Sequence, residues 1–219
     1  KILEPCCGKG NFLLGIFNKF YENMKDSYED KALLCRKIIQ ENIYFCDSEE
    51  NNVFISEELL RIHAESYAKE TLKDLKFNIY VGDTLKLDIS CEWNIDNFDL
   101  IIGNPPYSEK NKNGKSKHGK NNLWTKFISY SFSILKEGGL LLFITPTSWM
   151  NGTVNCFNLM IQNQIHYLNV NECKKDFVGV GSQFSYYLIE YTNIYKDTKV
   201  VCEYRNDIYE SSIRIDKNI

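Results

Sequence analysis

The chain has 219 residues, is 43% hydrophobic and carries a formal net charge of −3. That length fits one large domain, or one plus a fragment, and the apolar content supports a sizeable core and excludes disorder. The charge does not announce nucleic acid globally, and no apolar run approaches the ~18–20 residues of a spanning helix, so no membrane partner is expected.

The chain opens on Lys1-Ile2-Leu3-Glu4-Pro5, a strand already under way, with neither an initiator Met nor a signal-peptide pattern. We expect it to begin inside a longer protein. Ile2-Leu3 ends that strand, and Gly8-Lys9-Gly10-Asn11 turns into a helix from Phe12 to Met24. A second helix is predicted over Lys31–Gln40 and a strand over Ile43–Asp47. Glu49 to Leu75 reads as mostly helical, with apolar residues at 55, 59, 62 and 72. Asn78–Val81 is a strand ending at Gly82-Asp83, and Phe98–Ile102 is another. A helix over Asn121–Leu135 should end at Gly138-Gly139. Leu140–Ile144 is wholly apolar and reads as a central strand buried on both faces. Asn151–Gln164 reads as helix, Tyr167–Val170 as strand and Gln183–Tyr191 as the last full strand. Lys199–Tyr204 is a further strand-like piece. Short strands alternating with helices predict a doubly wound, Rossmann-like α/β fold.

Eight cysteines sit at 6, 7, 35, 46, 91, 156, 173 and 202 without Cys-x2-Cys spacing, and adjacent Cys6 and Cys7 do not easily bridge. The expectation is reduced thiols, a cytoplasmic setting and no metal. The histidines at 63, 118 and 166 are scattered and form no triad pattern.

Asn104-Pro105-Pro106-Tyr107 is the most informative tetrapeptide. Two prolines stop the preceding strand, and Pro105 biases Asn104 to extended geometry. A stiff loop thus holds an amide at the carboxyl end of a strand, where open α/β sheets bind ligands. The Asn104 oxygen and a prolyl carbonyl are both acceptors that could grip one NH2 group, and Tyr107 offers a flat face for a ring. This is a site for a planar amine; the competing reading is a turn that merely ends the strand. Glu109 to Lys120 follows, with five lysines and a histidine against one glutamate. It reads either as a solvated linker or as a loop that contacts phosphate.

Gly8 and Gly10 let the backbone approach a ligand closely. Position 13 is Leu and Lys9 is followed by Gly10, so neither dinucleotide nor phosphate-loop spacing is met, which argues against NAD and ATP. Asp47 ends the second strand, where a carboxylate meets ribose hydroxyls; an N-cap for the next helix is the alternative. Asp83, before Thr84, is placed to accept from an adenine amino group, or to serve a turn.

Leu3-Glu4-Pro5-x-x-Gly8-x-Gly10-x-Phe12, then Asp47, Gly82-Asp83 and Asn104-Pro105-Pro106-Tyr107, in that order, resembles the S-adenosylmethionine-dependent N6-adenine DNA methyltransferases. The gamma-type enzymes, including those fused to restriction enzymes, are most alike. Leu141 to Met150 and Phe177 to Tyr187 look like their later motifs, and the likeness covers roughly residues 2 to 191. The resemblance implies a seven-stranded, mostly parallel sheet with one reversed strand. It implies a catalytic core over 1–192, truncated at its amino end, and the start of a linker or recognition region over 193–219. Glu4, Pro5, Gly8, Gly10, Asp47, Asp83, Thr84 and Asn104 would line the cofactor, with Glu4, Gly8 and Gly10 on its methionine part. Asn104, Pro105, Pro106 and Tyr107 would hold and stack the target adenine, and Phe177 would pack on its edge or other face.

The implied partners are double-stranded DNA, from which the base must be flipped out, and fused or separate recognition and nuclease modules. Cys6 and Cys7 do not match the Pro-Cys nucleophile of cytosine-ring methylases. Two other readings stay open. Release-factor glutamine methyltransferases share Asn-Pro-Pro-Tyr, because a glutamine amide is also planar. A methylase fold kept as a non-catalytic module is the third.

Overall fold

Buried apolar runs set the strands and amphipathic runs set the helices in the computed structural model, which describes residues 1–108, 122–152, 154–171, 183–194, 196–204 and 207–213. The chain divides into two compact units, Lys1–Phe98 and Asp99–Ile219.

In the first unit, strands β1 (Ile2–Glu4), β2 (Ile43–Asp47) and β3 (Asn78–Val81) run parallel in the order β3-β2-β1. Leu3 pairs with Tyr44, and Asp47 with Val81. Parallel neighbours need crossovers, which here are helical. They are α1 (Asn11–Met24), α2 (Lys31–Lys37), prolonged by a π turn over Ile38–Asn42, and α3 (Glu50–Ala68). Leu13, Ile16, Phe17 and Tyr21 form the buried stripe of α1; Val53, Ser56, Leu60 and Ala64 form that of α3. Each large apolar side chain fully buried this way stabilises by ~1.5–3 kcal/mol. Phe17 meets His63 edge-on at 5.5 Å and Tyr67 at 5.6 Å. His63 Nε2 and the Tyr67 hydroxyl converge on Asn18 Oδ1 at 2.6 and 3.1 Å. His63 is therefore a packed, hydrogen-bonded residue, and burial lowers its pKa.

Helix α3 stops at Ala68, short of the Leu75 expected. Lys69 turns left-handed at φ 59° and its N–H closes on the Glu65 carbonyl, while Glu65 Oε1 accepts from the Leu72 N–H at 2.9 Å. A short helix, α4 (Ile89–Trp93), was not expected; Asp88 caps it by accepting from the Ser90 and Cys91 N–H groups.

The second unit begins within β4 (Phe98–Gly103) and continues with α5 (Leu123–Ile134), β5 (Leu135–Pro146), α6 (Phe157–Ile161), β6 (Gln164–Asn169), β7 (Phe184–Glu190), β8 (Thr198–Tyr204) and β9 (Asp207–Ile213). The strand order is β4-β5-β7-β6-β8-β9. β7 is antiparallel to both β5 and β6, β8 is parallel to β6, and β9 is antiparallel to β8.

The fold is the expected Rossmann-like α/β class, but nine strands among the described residues replace the expected seven. β7 is not the last: β8 and β9 form a hairpin that extends the sheet, and β9 is reversed relative to β8. Both lie within 193–219. The Gly138-Gly139 pair does not cap α5, which ends at Ile134. It sits inside β5, where the Gly138 N–H donates to the Tyr191 carbonyl and the Tyr191 N–H to the Gly139 carbonyl, each at 2.8 Å. β5 is not buried on both faces either. Leu141, Phe143 and Thr145 are fully buried, whereas Leu140, Leu142 and Ile144 are half-buried. Among the described residues of the expected helix over 151–164, only α6 forms. No helix among the described residues is long and apolar enough to cross a membrane.

Candidate active site

Three turns follow the carboxyl ends of β1, β2 and β3, and hydrogen bonds tie them together. The Cys7 N–H donates to the Cys46 carbonyl at 2.8 Å, and the Gly82 N–H to the Asp47 carbonyl at 2.9 Å. Asp47 divides its carboxylate: Oδ2 accepts from the Gly8 N–H at 2.9 Å, while Oδ1 accepts from the Glu49 N–H and from Asn52 Nδ2, at 3.0 and 3.2 Å. It is not the N-cap that the plainer reading expected, since Glu49 takes that place two residues on; instead it ties the approach to α3 to the glycine loop. Thr84 is buried and its hydroxyl donates to the Pro5 carbonyl at 2.8 Å, so it fastens the third turn to the first. Asp83 Oδ1 accepts from the Leu85 N–H at 3.2 Å and Oδ2 pairs with Lys86 Nζ at 3.3 Å; its side chain remains half exposed.

Gly8 and Gly10 are left-handed, at φ 54° and 79°. A Cβ on Gly10 would lie 3.1 Å from Ser56 Oγ, whereas one on Gly8 would meet no heavy atom within 4 Å. The loop is therefore packed on α3 at Gly10 and open at Gly8. Ser56 Oγ donates to the Gly8 carbonyl at 3.1 Å. Sequence reasoning missed Ser56; its signal was a small polar residue on the inward stripe Val53, Ser56, Leu60, Ala64.

Glu4 is 2% exposed. Its Oε2 is buried and finds no hydrogen-bond partner among the described residues. Burial, and then the Asp47 charge, push its carboxyl up to about 9, so the acid is neutral at physiological pH. Burial also pushes the Cys7 thiol up to about 12 and Cys6 well above its ordinary value. Neither is a thiolate nucleophile at neutral pH. Glu4, Pro5, Gly8, Gly10, Asp47, Asp83 and Thr84 thus gather on one edge of the first unit. A buried acid with an unpaired oxygen, on the same edge as a glycine with open space around it, fits a ligand that brings a cation or an N–H donor.

In the second unit, Asn104 and Pro106 are exposed, Pro105 is buried and Tyr107 half-buried, all directly after β4. The Tyr107 hydroxyl donates to Asn104 Oδ1 at 2.5 Å. Phe184, buried at the start of β7, lies against the Tyr107 ring at a centroid distance of 4.8 Å and 36° between planes. The sequence carried no sign of that pairing. The Ser148-Trp149-Met150 and Phe184-Ser185-Tyr186-Tyr187 motifs also meet. Trp149 Nε1 donates to Ser185 Oγ at 2.9 Å, and Thr145 Oγ1 donates to the buried Tyr187 hydroxyl at 3.3 Å. Ser108 and Asn122 form an antiparallel bridge. The lysine-rich stretch from Glu109 to Lys120 and the candidate Phe177 lie outside the described residues.

Residues 41–176 match the model of the Eco57I restriction-modification methylase family, well over half of the chain. The chain belongs to that family. A type II methyltransferase of Thermus thermophilus, M.TthHB8I, is 35% identical over 24% of this chain and 17% of its own length. An uncharacterized adenine-specific methylase of Mycoplasma pneumoniae is 24% identical over 64% of this chain and 30% of its own. The chain therefore spans less than a third of either curated relative. Among solved structures, a DrdV–DNA complex superposes with a TM-score of 0.69 at 17% identity, over 99% of this chain and 27% of that one. The M protein of the type I restriction enzyme EcoKI superposes with a TM-score of 0.62 at 16% identity, over 92% and 43%. A putative class I S-adenosylmethionine-dependent methyltransferase of Listeria monocytogenes gives 0.60 at 15% identity, over 92% and 57%. At these identities the superpositions establish the fold, which is that of this methyltransferase class.

Proposed function

We propose that this chain is the catalytic core of a restriction-modification DNA methyltransferase that transfers a methyl group to the exocyclic amino group of a flipped adenine. Membership of the Eco57I family supports the class. The observation that carries the chemistry is Asn104 held exposed at the end of β4, its amide oxygen oriented by Tyr107 and followed by the carbonyl of Pro105. Two acceptors suit a poor amine whose electrophile is already activated.

S-adenosylmethionine fits the first unit. When bound, it supplies an electrophilic sulfonium methyl. Glu4 would meet its cationic methionine end, Gly8 and Gly10 would let the backbone close on it, Asp47 would share its carboxylate with the ribose, and Asp83 would accept from the adenine amine. Pro5 and Thr84 would hold the turns rather than the ligand. At the acceptor, Asn104 Oδ1 and the Pro105 carbonyl would take both amino hydrogens, drawing the nitrogen lone pair out of the ring. Pro106 would keep the loop stiff. Tyr107 would stack on the base, with Phe177 on its edge or other face. The substrate would be double-stranded DNA in the cytoplasm, read by recognition and nuclease modules fused or separate, with 1–192 as the core and the region from 193 leading toward recognition.

The release-factor glutamine reading is not favoured, because the family and the curated relatives are DNA-modification methylases. The test uses the full-length protein, duplex DNA free of N6-methyladenine and methyl-labelled S-adenosylmethionine. Label recovered as N6-methyladenine is the expected result. Label on protein, or cofactor binding without transfer to any nucleic acid, would sink the reading.

A further inference from the structure

Resting on that reading, we propose that the Tyr107 hydroxyl is a positioning group for the reaction, fixing the Asn104 amide so that its oxygen, not its nitrogen, faces the target amine. An Asn side chain is nearly symmetric in shape and offers either an acceptor or a donor, depending on a half-turn about its last bond. Presented the wrong way, the Asn104 NH2 would meet the target NH2 donor to donor and the grip would fail. Something must therefore choose the orientation. Asn104 is exposed, so packing does not choose it. A tyrosine hydroxyl can donate to Oδ1 or accept from Nδ2, and in this structure the Tyr107 hydroxyl donates to Oδ1 at 2.5 Å, the arrangement that presents the oxygen. A carbonyl oxygen has two lone pairs, so one remains for the target amine.

The choice also needs Tyr107 to stay where it is. Phe184 backs its ring at 4.8 Å and is buried on β7, where it pairs across the sheet with Pro146 of β5. A strand thus supports the ring on the side that Phe184 covers. Phe184, Tyr107 and Asn104 form a chain of support in which each orients the next. Tyr107 then has two separable parts: a ring that stacks and a hydroxyl that orients.

Tyr107→Phe separates them. In single-turnover methyl transfer by the full-length protein, with unmethylated duplex DNA and labelled S-adenosylmethionine, the variant should be about tenfold slower, the loss expected for one aimed hydrogen bond. Cofactor affinity, DNA affinity and thermal midpoint should stay near wild type. In an Asn104→Ala background, Tyr107→Phe should add no further loss, since the group it orients is gone. A fluorinated tyrosine at 107 gives a second readout. Its phenol ionises at lower pH, so the alkaline fall in rate should move to lower pH while stacking persists. A Tyr107→Phe rate equal to wild type, a full loss persisting without Asn104, or an unmoved alkaline limb would each overturn the proposal. If Asn104→Ala is harmful and Tyr107→Phe harmless, only this inference falls. If Asn104→Ala itself transfers methyl at the wild-type rate, the proposed function falls with it.

Discussion

The two units carry their functional groups in opposite ways. In the first, nearly every polar group at the strand ends already has a partner: Asp47 holds Gly8, Glu49 and Asn52, Thr84 holds Pro5, and Ser56 holds Gly8. Glu4 Oε2 stands out as buried and unpaired. In the second, Asn104 and Pro106 stand exposed after β4, and the Tyr107 hydroxyl donates to Asn104 Oδ1. A small ligand is best bound by a framework built in advance, because ordering groups at the moment of binding weakens it. A base that must leave a duplex needs an open place to arrive. On the proposed function, the difference matches recognition of a small molecule by one unit and capture of a macromolecular group by the other.

The contrast breaks most easily at Asn104. Asn104→Ala should lower single-turnover methyl transfer by ~10²–10³-fold, since on the proposed function its bond to the amine strengthens in the transition state, and should leave cofactor affinity nearly unchanged. An equal loss in both would mean that the two units do not divide the work.

Glu4 gives the next largest effect. Its folded pKa is raised to about 9 from 4.5, so the ligand-free native state holds a proton that the unfolded state has lost. Stability from this group is fully present below the unfolded pKa and declines as pH rises toward 9, with a limiting slope of about 1.4 kcal/mol per pH unit. Glu4→Gln should flatten the decline between pH 6 and 8 in denaturant titrations. A cationic ligand at Glu4 must displace that proton, so wild-type cofactor affinity should rise with pH over the same range and that of Glu4→Gln should not. Parallel pH profiles would detach Glu4 from the ligand.

Asp47→Ala should weaken cofactor binding by ~1.5–3 kcal/mol, through unpaired ligand hydroxyls and a released Gly8 N–H. Calorimetry on the full-length protein measures it, and an unchanged affinity would confine Asp47 to its role at α3. Gly10→Ala should have the smallest effect, a stability loss of ~1–2 kcal/mol from a left-handed alanine, with Ser56 forced to yield. Thermal unfolding checks it. Gly8→Ala meets no neighbour, so its loss should appear in ligand affinity beyond the shared backbone strain.

Much of this was legible because it is local. β1, β2 and β3 are apolar runs closed by turn residues, and Glu4, Asp47, Asp83 and Asn104 each lie where such a run stops. What stayed hidden depends on distant or unusual partners. Ser56 reaches Gly8 across 48 residues, and Phe184 reaches Tyr107 from another strand. The end of α3 was hidden because Lys69 turns left-handed without being glycine. Gly138 misled in the opposite direction: it has a positive φ, as a helix-ending glycine would, but uses it inside β5 against Tyr191. The hairpin β8–β9 was only half legible. Lys199 to Tyr204 holds the β-branched and aromatic residues that strands favour, whereas β9 is exposed along its whole length and offers no buried side to read.

The bonds among the three turns of the first unit have a dynamic consequence. Cys7 is bound to Cys46, Gly8 and Gly82 both to Asp47, and Thr84 back to Pro5, so the ties close a ring. No turn in a ring can swing out without breaking bonds in the other two. The amides of Cys7, Gly8 and Gly82 should therefore exchange with deuterium at one common rate, as a single cooperative unit rather than three loops.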